Sequence, residues 1–341
     1  CIRDSMYLGG QAVGESVADL ISGEVNPSGK LAETIPFSEK DTPAWRYFAP
    51  PNDDVEYRES IFVGYRYYET FHVPVKYPFG YGLSYTSFSY SELNVPEVYS
   101  GGKIQIRFKI KNIGKVSGAE IAQLYICPIE SDVIRSHIEL KGFQKIYLHP
   151  GEEKEVILEL DERSFSVYDV EKKAFSMLSG KYQICIGASV HDLQLKANME
   201  VVGNSYFRNE RELFPDYFRE QPHGMEISAE QFYQLLGGEP KHDKEKKRGE
   251  YTVYDSYQDV VNVSMFGKIV RGVVHIGLKI ILRGKSERDP AFKMVKMGVE
   301  EGNLEGLIAT SGGIATPKLI DMLVYNANKK YLQALKRLLK K

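Results

Sequence analysis

The sequence predicts a multidomain α+β protein: the end of an α/β unit, then an antiparallel β-sandwich, then an α-helical extension. Three observations predict it. An amphipathic helical stretch and a Pro-Gly turn precede residue 55. From Phe88 to about Val202 apolar and polar residues alternate with the period of a strand. Beyond residue 250 apolar residues recur at spacings of three and four. The expected boundaries are 6–86 for the end of the α/β unit with a long exit loop and 87–203 for the sandwich. A polar linker with a short helix is expected over 204–250, and a basic helical extension over 251–341.

Bulk properties bound the answer. A chain of 341 residues holds about two or three domains. Its 16 Phe and 23 Tyr supply enough apolar surface for real cores, which excludes global disorder. The net charge of −2 points to no nucleic-acid partner, but it conceals an asymmetry. Residues 251–341 carry 15 Lys and Arg against 8 Asp and Glu, a net of +7, which leaves −9 for residues 1–250. A basic module on an acidic body suits self-docking. Cys1, Cys127 and Cys185 are too few and too scattered for a disulfide framework or a zinc site, and Cys127 and Cys185 read as small buried residues within strands. The seven histidines show no ligand spacing, so no metal and no cofactor are expected. The most apolar run, residues 273–282, is interrupted by His275 and Lys279 and is too short to span a bilayer.

The chain opens on Cys1 rather than Met and shows no signal peptide. It is expected to begin within a longer reading frame, with Cys1 to Ser5 translated from a transposon-based sequencing adapter. Few cysteines suit a cytoplasmic location.

Residues 11–22 form the first element. Val13, Val17, Leu20 and Ile21 make one helical stripe expected to face a core, with Gly23 as the residue after the helix and Gly14 expected at a close contact. The segment GGQAVGES has the glycines of a phosphate-cradling loop, but Glu15 stands where that loop needs Lys. Asn26-Pro27-Ser28-Gly29 is a turn, and a strand is expected over 31–35. Residues 38–59 are charged and aperiodic, a long surface loop. Its carboxylates Asp53, Asp54, Glu56 and Glu59 are the candidates for an acid/base pair, with a solvated face as the favoured explanation. Residues 55–85 change the character of the chain. Ile61, Val63 and Tyr65 share one face of an expected strand, and Tyr77-Pro78-Phe79-Gly80-Tyr81-Gly82 fixes a stiff, non-repeating path. An interdomain brace is the leading reading of this aromatic stretch, and a ligand cradle is the other.

In the sandwich, Ile104, Ile106, Phe108 and Ile110 alternate with charged or polar neighbours, as do Leu193, Leu195, Ala197, Met199 and Val201. Further strands are read at 119–127, 141–148, 154–160, 174–178 and 181–187, with turns at His149-Pro150-Gly151-Glu152 and Ser179-Gly180. About seven strands of this kind make a β-sandwich. Beyond it, Ser228 is expected to cap a helix over 228–236, and the run 241–248 reads as solvated linker. In the terminal module Lys268, Arg271, His275 and Lys279 form a basic stripe on an apolar rod. Pro317 follows Thr316 at a helix start. Leu332, Leu335, Leu338 and Leu339 form one face, expected to pack in a helical bundle or on another domain. Binding to an anionic membrane surface is the sharper alternative for the basic helix.

Three blocks, in order, carry a resemblance. GGQAVGESVADLISGEVNPSGKLAETIPF (9–37), VEYRESIFVGYRYYE (55–69) with YPFGYGLSYTSFSY (77–90), and KVSGAEIAQLYI, ELKGFQKIYLHPGEEKEVILEL and FSVYDVEKKAF (within 115–175) together resemble the C-terminal part of a family 3 glycoside hydrolase of the β-glucosidase kind. The resemblance covers about residues 6–202. It implies the tail of an α/β sandwich domain followed by a fibronectin-III-like β-sandwich. It also implies retaining hydrolysis of terminal β-D-glycosides, with a carboxylate nucleophile and a carboxyl acid/base about 5–5.5 Å apart. The family's nucleophilic Asp belongs to an N-terminal (β/α)8 barrel, and its acid/base Glu to an earlier part of the sandwich domain, both expected upstream of Met6. Ser22-Gly23-Glu24 shares letters with the acid/base neighbourhood but occupies a structural turn. No catalytic residue is therefore assigned in this chain, and no substrate-binding residue is named. The implied partners are a β-linked oligosaccharide or glycoside, through the intact enzyme, and the N-terminal barrel. Nucleic acid and membrane are not expected. The rival reading is a standalone carbohydrate-binding or protein-interaction module, which a true start codon near Met6 would favour.

Overall fold

The computed structural model describes residues 10–48, 55–203, 208–239, 246–282, 289–311 and 313–339. The adapter-like start at Cys1–Ser5, Gly9, the carboxylates Asp53 and Asp54, and residues 241–245 of the basic run lie outside the described residues. The chain divides into two compact units, Cys1–Pro240 and Lys241–Lys341.

The first unit opens with helix α1 (Val13–Ser22), which ends on Gly23 in the left-handed conformation at φ 81°. The stripe on α1 does not face a core. None of its residues is buried, Ile21 is 78 % exposed, and a side chain at Gly14 would meet nothing within 4 Å. The expected strand over 31–35 shrinks to β1 (Ile35–Pro36). The reason is a lack of partners: Leu31 exchanges backbone hydrogen bonds with Tyr81 and Gly80 (2.8 Å each), and only Ile35–Pro36 meets another strand. The strand expected around Ile61–Tyr65 is likewise absent. Ser60 (φ 52°) and Gly64 (φ 55°) turn the chain out of the extended region, and the residues after Gly64 wind into α2 (Tyr65–Thr70). β2 (Val75–Tyr77) then pairs with β1.

The β-sandwich follows the alternation read from the sequence. Its strands are β3 (Phe88–Asn94), β4 (Val98–Tyr99), β5 (Ile104–Asn112), β6 (Gly118–Pro128), β7 (Glu139–Leu148) and β8 (Glu153–Leu160). After the side hairpin of β9 (Ser166–Asp169) and β10 (Ala174–Met177) come β11 (Gly180–Gly187) and β12 (Leu193–Val201). One sheet has the order β4-β12-β11-β6-β7 and the other β3-β5-β8. All pairs are antiparallel except β12 with β4. Between the sheets lie Ile106, Phe108, Ile110, Leu124, Ile126, Val156, Leu158, Ile184, Ile186 and Met199. At one end Asn112 is wholly buried. Its Nδ2 donates to Val116 O (2.9 Å) and Leu148 O (3.0 Å), while its Oδ1 accepts from Thr86 Oγ1 (2.6 Å) and Gly114 N (3.0 Å). A polar side chain placed this deep is tolerated because each of its groups is paired.

The polar stretch expected as a linker is not one over residues 208–239. It folds as a strap containing α3 (Glu210–Leu213) and α4 (Ala229–Leu236), the latter capped by Ser228 as the sequence implied and closed by Gly237 at φ 84°. Phe214, Tyr217, Met225, Ile227 and Phe232 of the strap are buried with Phe62, Tyr67, Tyr68 and Val73 in a second core. The stretch reads as polar because its apolar residues are spaced irregularly. They match a partner surface about 150 positions earlier rather than a local helix or strand.

The second unit is helical: α5 (Tyr257–Asn262), α6 (Met265–Ile281), α7 (Pro290–Glu300), α8 (Leu304–Thr310), α9 (Pro317–Ala327) and α10 (Tyr331–Leu339). Ser256, Ser264, Asn303 and Thr316 cap α5, α6, α8 and α9 with their side-chain oxygens, and Pro317 opens α9 as expected. Its core gathers Tyr257, Val260, Val261, Leu304, Leu307, Ile320, Leu323 and Ala327. Gly267 is required where α6 passes α5, since a Cβ there would meet Val261 O at 2.4 Å. The leucine face of α10 does not pack in the helical bundle, the first of its two expected uses. Leu332, Leu335, Leu338 and Leu339 are 49–77 % exposed, and Ala334 is the buried residue. The small side chain sits on the inner face, and the Arg337–Asp321 pair (2.8 Å) joins α10 to α9.

The strap is tied down by the Tyr67 hydroxyl, which donates to Gln221 O (2.7 Å) and accepts from Gly224 N (3.0 Å). Tyr67→Phe leaves both backbone groups buried and unpaired, so the urea midpoint falls by the equivalent of about 2 kcal/mol. An unchanged midpoint contradicts this docking.

Candidate functional site

The centre of the first unit is the aromatic segment 55–85, which is covered on two sides. On one side, Tyr65 stacks on Phe79 (ring centroids 4.6 Å apart) and meets Tyr125 of β6 edge-on at 6.4 Å, while its hydroxyl accepts from Leu140 N (2.9 Å). Gln123 of β6 donates to Gly80 O (3.2 Å) and Ala188 O (2.7 Å). Gly80 cannot be replaced cheaply: its φ is +78° and a Cβ would lie 2.1 Å from the Gln123 side chain. This packing buries the outer face of β6 near its end, where Tyr125, Cys127, Cys185, Ile138 and Val190 form a small cluster. The thiols of Cys127 and Cys185 lie 3.7 Å apart, unbridged and buried, as their strand positions implied. The turn Asn26-Pro27-Ser28-Gly29 is clasped to the same assembly. Asn26 donates to Ser117 O (3.1 Å) and accepts from Tyr85 N (2.8 Å), and Lys30 pairs with Glu120 at 2.9 Å.

On the other side lie the strap and the expected surface loop. Tyr47, from that loop, donates to Ile227 O (2.9 Å) and accepts from Ile227 N (2.8 Å). The Arg58 guanidinium lies 4.6 Å from the Tyr47 ring centroid and donates to Ile227 O (2.9 Å). Burial pushes the Tyr67 and Tyr68 phenols up to about 12, so both stay neutral, and Tyr67 keeps the proton it donates.

Of the candidate carboxylates, two can be placed. Glu56 is held by Arg58 (2.5 Å) and by the Tyr233 hydroxyl (2.6 Å). Glu59 is only 4 % exposed, and its Oε2 has no hydrogen-bond partner among the described residues. Burial pushes its pKa up. The solvated face favoured from the sequence is therefore wrong for Glu59 and incomplete for Glu56. The reason is the strap, whose return over this loop no local pattern announces. Neither group has the freedom that glycoside cleavage needs, where two carboxyl groups face each other across a bound sugar. Glu24 is exposed in the turn after α1, its backbone N–H bonded to Ser22 Oγ (3.4 Å). Glu15 stands in the first turn of α1, as expected.

A cleft of about 510 Å³ opens beside the brace, where Phe71 and His72, the loop 128–137 and the strap residues Arg211, Phe218 and Arg219 meet. Sequence reasoning missed it, because its walls come from three distant stretches. The His72 and His137 rings stand edge to face at 6.1 Å. Burial, reinforced by His72, lowers the pKa of His137 and favours its neutral form. Arg135 lies beneath, its side chain 3 % exposed, donating to the Tyr182 hydroxyl (3.0 Å) and to Glu139 (3.2 Å). Lys141 grips the other oxygen of Glu139 at 2.5 Å. Burial alone would raise the pKa of Glu139, but Arg135 and Lys141 outweigh it and hold the carboxyl below its ordinary value. This trio is a clamp that fixes the loop to the sandwich. Among the described residues no group of three or more His, Cys, Asp or Glu is arranged to hold a metal ion.

Comparison with known proteins places these elements. The glycosyl hydrolase family 3 C-terminal domain matches residues 5–85, and the fibronectin type III-like domain matches residues 120–190. Thermostable β-glucosidase B of Acetivibrio thermocellus is 48 % identical over 197 residues, spanning 57 % of this chain and 26 % of that protein. An exo-α-(1→6)-L-arabinopyranosidase of Bifidobacterium breve is 38 % identical over 198 residues, 58 % of this chain and 26 % of its own length. The crystal structure of a family 3 β-glucosidase from Bifidobacterium adolescentis superposes with a TM-score of 0.56 at 38 % identity, covering 59 % of this chain and 30 % of that one. β-Glucosidase 3B of Thermotoga neapolitana, solved with α-D-glucose, gives 0.54 at 38 % identity, with 58 % and 28 % covered. The chain thus spans about a quarter of the length of these curated relatives, and over the matched residues it is similar to the C-terminal part of family 3 glycoside hydrolases.

Two substitutions test the buried carboxyls with opposite signs. Glu139 has a lowered pKa, so its stabilisation is present above the ordinary carboxylate value and fades as pH falls through the lower folded one. Glu139→Gln strands Arg135 and costs about 3 kcal/mol at pH 7, with the deficit shrinking in acid. Glu59 has a raised pKa, so stability is fullest below the ordinary value and is lost as pH rises through the folded one. Glu59→Gln therefore raises the thermal midpoint at pH 7, and the gain disappears in acid. Thermal melts between pH 3 and 8 check both; matching signs for the two variants would contradict this reading.

Proposed function

We propose that this chain is the scaffold-bearing C-terminal part of a retaining glycoside hydrolase that removes terminal sugars from β-linked oligosaccharides or glycosides. The observation that carries the reading is the match, in order, of both family domains, at 38–48 % identity to glycosidases that are about four times longer than the matched region. Val13 and Ile21 of the α1 stripe, with Phe37 and Phe48, are apolar side chains left exposed by the described chain. Upstream segments of the same protein, a barrel among them, are the partners that would bury these residues. The nucleophile and the acid/base belong to those segments. The brace then holds the α/β tail on the sandwich and shapes the sugar pocket from outside.

Relatives named as β-glucosidases and as an arabinopyranosidase bracket the substrate as a terminal pyranose. The contacts that choose between them belong to the catalytic segments. The small number of cysteines suits a reducing compartment, which is the ground for placing the protein in the cytoplasm.

The test is turnover. The chain alone shows no hydrolysis of p-nitrophenyl β-D-glucopyranoside or p-nitrophenyl α-L-arabinopyranoside above buffer. The same reading frame extended upstream hydrolyses the β-D-glucopyranoside with retention of anomeric configuration, read by NMR. Turnover by the chain alone, abolished by Glu56→Gln or Glu59→Gln, would contradict the assignment.

A further inference from the structure

Helix α6 (Met265–Ile281) has three faces where an ordinary bundle helix has two. Phe266, Val270 and Val274 pack against the core of the helical unit. Met265, Ile269, Val273, Ile276 and Ile280 lie on the neighbouring face, each between 60 % and 77 % exposed. Their spacing of four, four, three and four residues puts them on one continuous stripe. Lys268, Arg271, His275 and Lys279 run along one edge of that stripe, also exposed. No Asp or Glu occurs anywhere in the helix. The expectation that the apolar residues of this rod are spent on the bundle core holds for one face only.

A contiguous exposed stripe of this kind marks an interaction surface, and the charge pattern selects the occupant. We propose that the outer side of α6 lies in the plane of an anionic lipid surface, with the five apolar side chains entering the acyl boundary and the basic edge meeting headgroup phosphates. A second copy of the stripe would set acid-free, basic edges near one another with no carboxylate to offset them. A surface of lipid phosphates supplies negative charge along the whole length of the edge. Lys268 and Lys279 have no ion-pair partner among the described residues, so neither need be released before binding. The helix is suited to lie flat rather than to cross, because no helix among the described residues is long and apolar enough to span a membrane.

Vesicle sedimentation with the full chain tests this. The chain pellets with phosphatidylcholine vesicles containing about a third phosphatidylglycerol, stays in solution with pure phosphatidylcholine, and is released as salt rises from about 0.05 to 0.5 M. Lys268→Ala and Lys279→Ala each weaken partitioning about fivefold. Ile269→Glu with Ile276→Glu abolishes it, while circular dichroism and the melting temperature stay those of the parent, since both side chains face solvent. No pelleting with anionic vesicles at low salt overturns the proposal. So does pelleting that survives both the lysine and the isoleucine substitutions. A concentration-dependent dimer that Ile276→Glu converts to monomer would also overturn it, assigning the stripe to a second copy.

Discussion

The burial of one aromatic segment on both of its sides is the constraint on which the first unit depends. In α2, Tyr65 turns toward the sandwich and finds Phe79 and Tyr125, while Tyr67 and Tyr68 turn toward the strap. A six-residue helix has little stability of its own. It persists because large rings on each side remove apolar surface from water, and because the hydroxyls of Tyr65 and Tyr67 pair with backbone groups from other stretches. The positive φ at Gly64 and Gly80 lets the chain enter and leave this layer without spoiling either contact.

That arrangement bears directly on the proposed function. Charged side chains that look reactive in the sequence are consumed by holding pieces together: Glu56 and Arg58 join loop to strap, Arg135, Glu139 and Lys141 fix the cleft loop, and Lys30 with Glu120 anchors the turn after α1. A carboxylate clamped by a guanidinium, or sealed in a core, is a poor proton shuttle. This supports the proposal that the chemistry belongs to other segments, with these residues keeping a framework rigid.

What could be read in advance divides along physical lines. The period-2 alternation of β5 and β12 follows from one wet face and one dry face, so strands and burial were both legible in Ile104–Ile110 and Leu193–Val201. The cap at Ser228 and the helix start at Thr316-Pro317 depend on neighbouring backbone alone and were legible too. The strap was not, because Tyr67 meets Gln221 across 154 residues and no local pattern encodes that. The cleft and the burial of Glu59 follow from the strap and were hidden with it. Periodicity located stripes on α1, α6 and α10 but could not say what each stripe faces: a packed core failed for α1 and for the leucines of α10, and holds for one face of α6. The family resemblance supplied the domain order, which no pattern of apolar residues contains.

Brace, strap and sandwich form one cooperative body, and native-state hydrogen exchange reads that cooperativity amide by amide. Amides of α2, of residues 221–227 and of β6 are expected to share a common opening free energy and a common dependence on denaturant. Strap amides that exchange at the rate of unstructured peptide while α2 and β6 stay protected would contradict it.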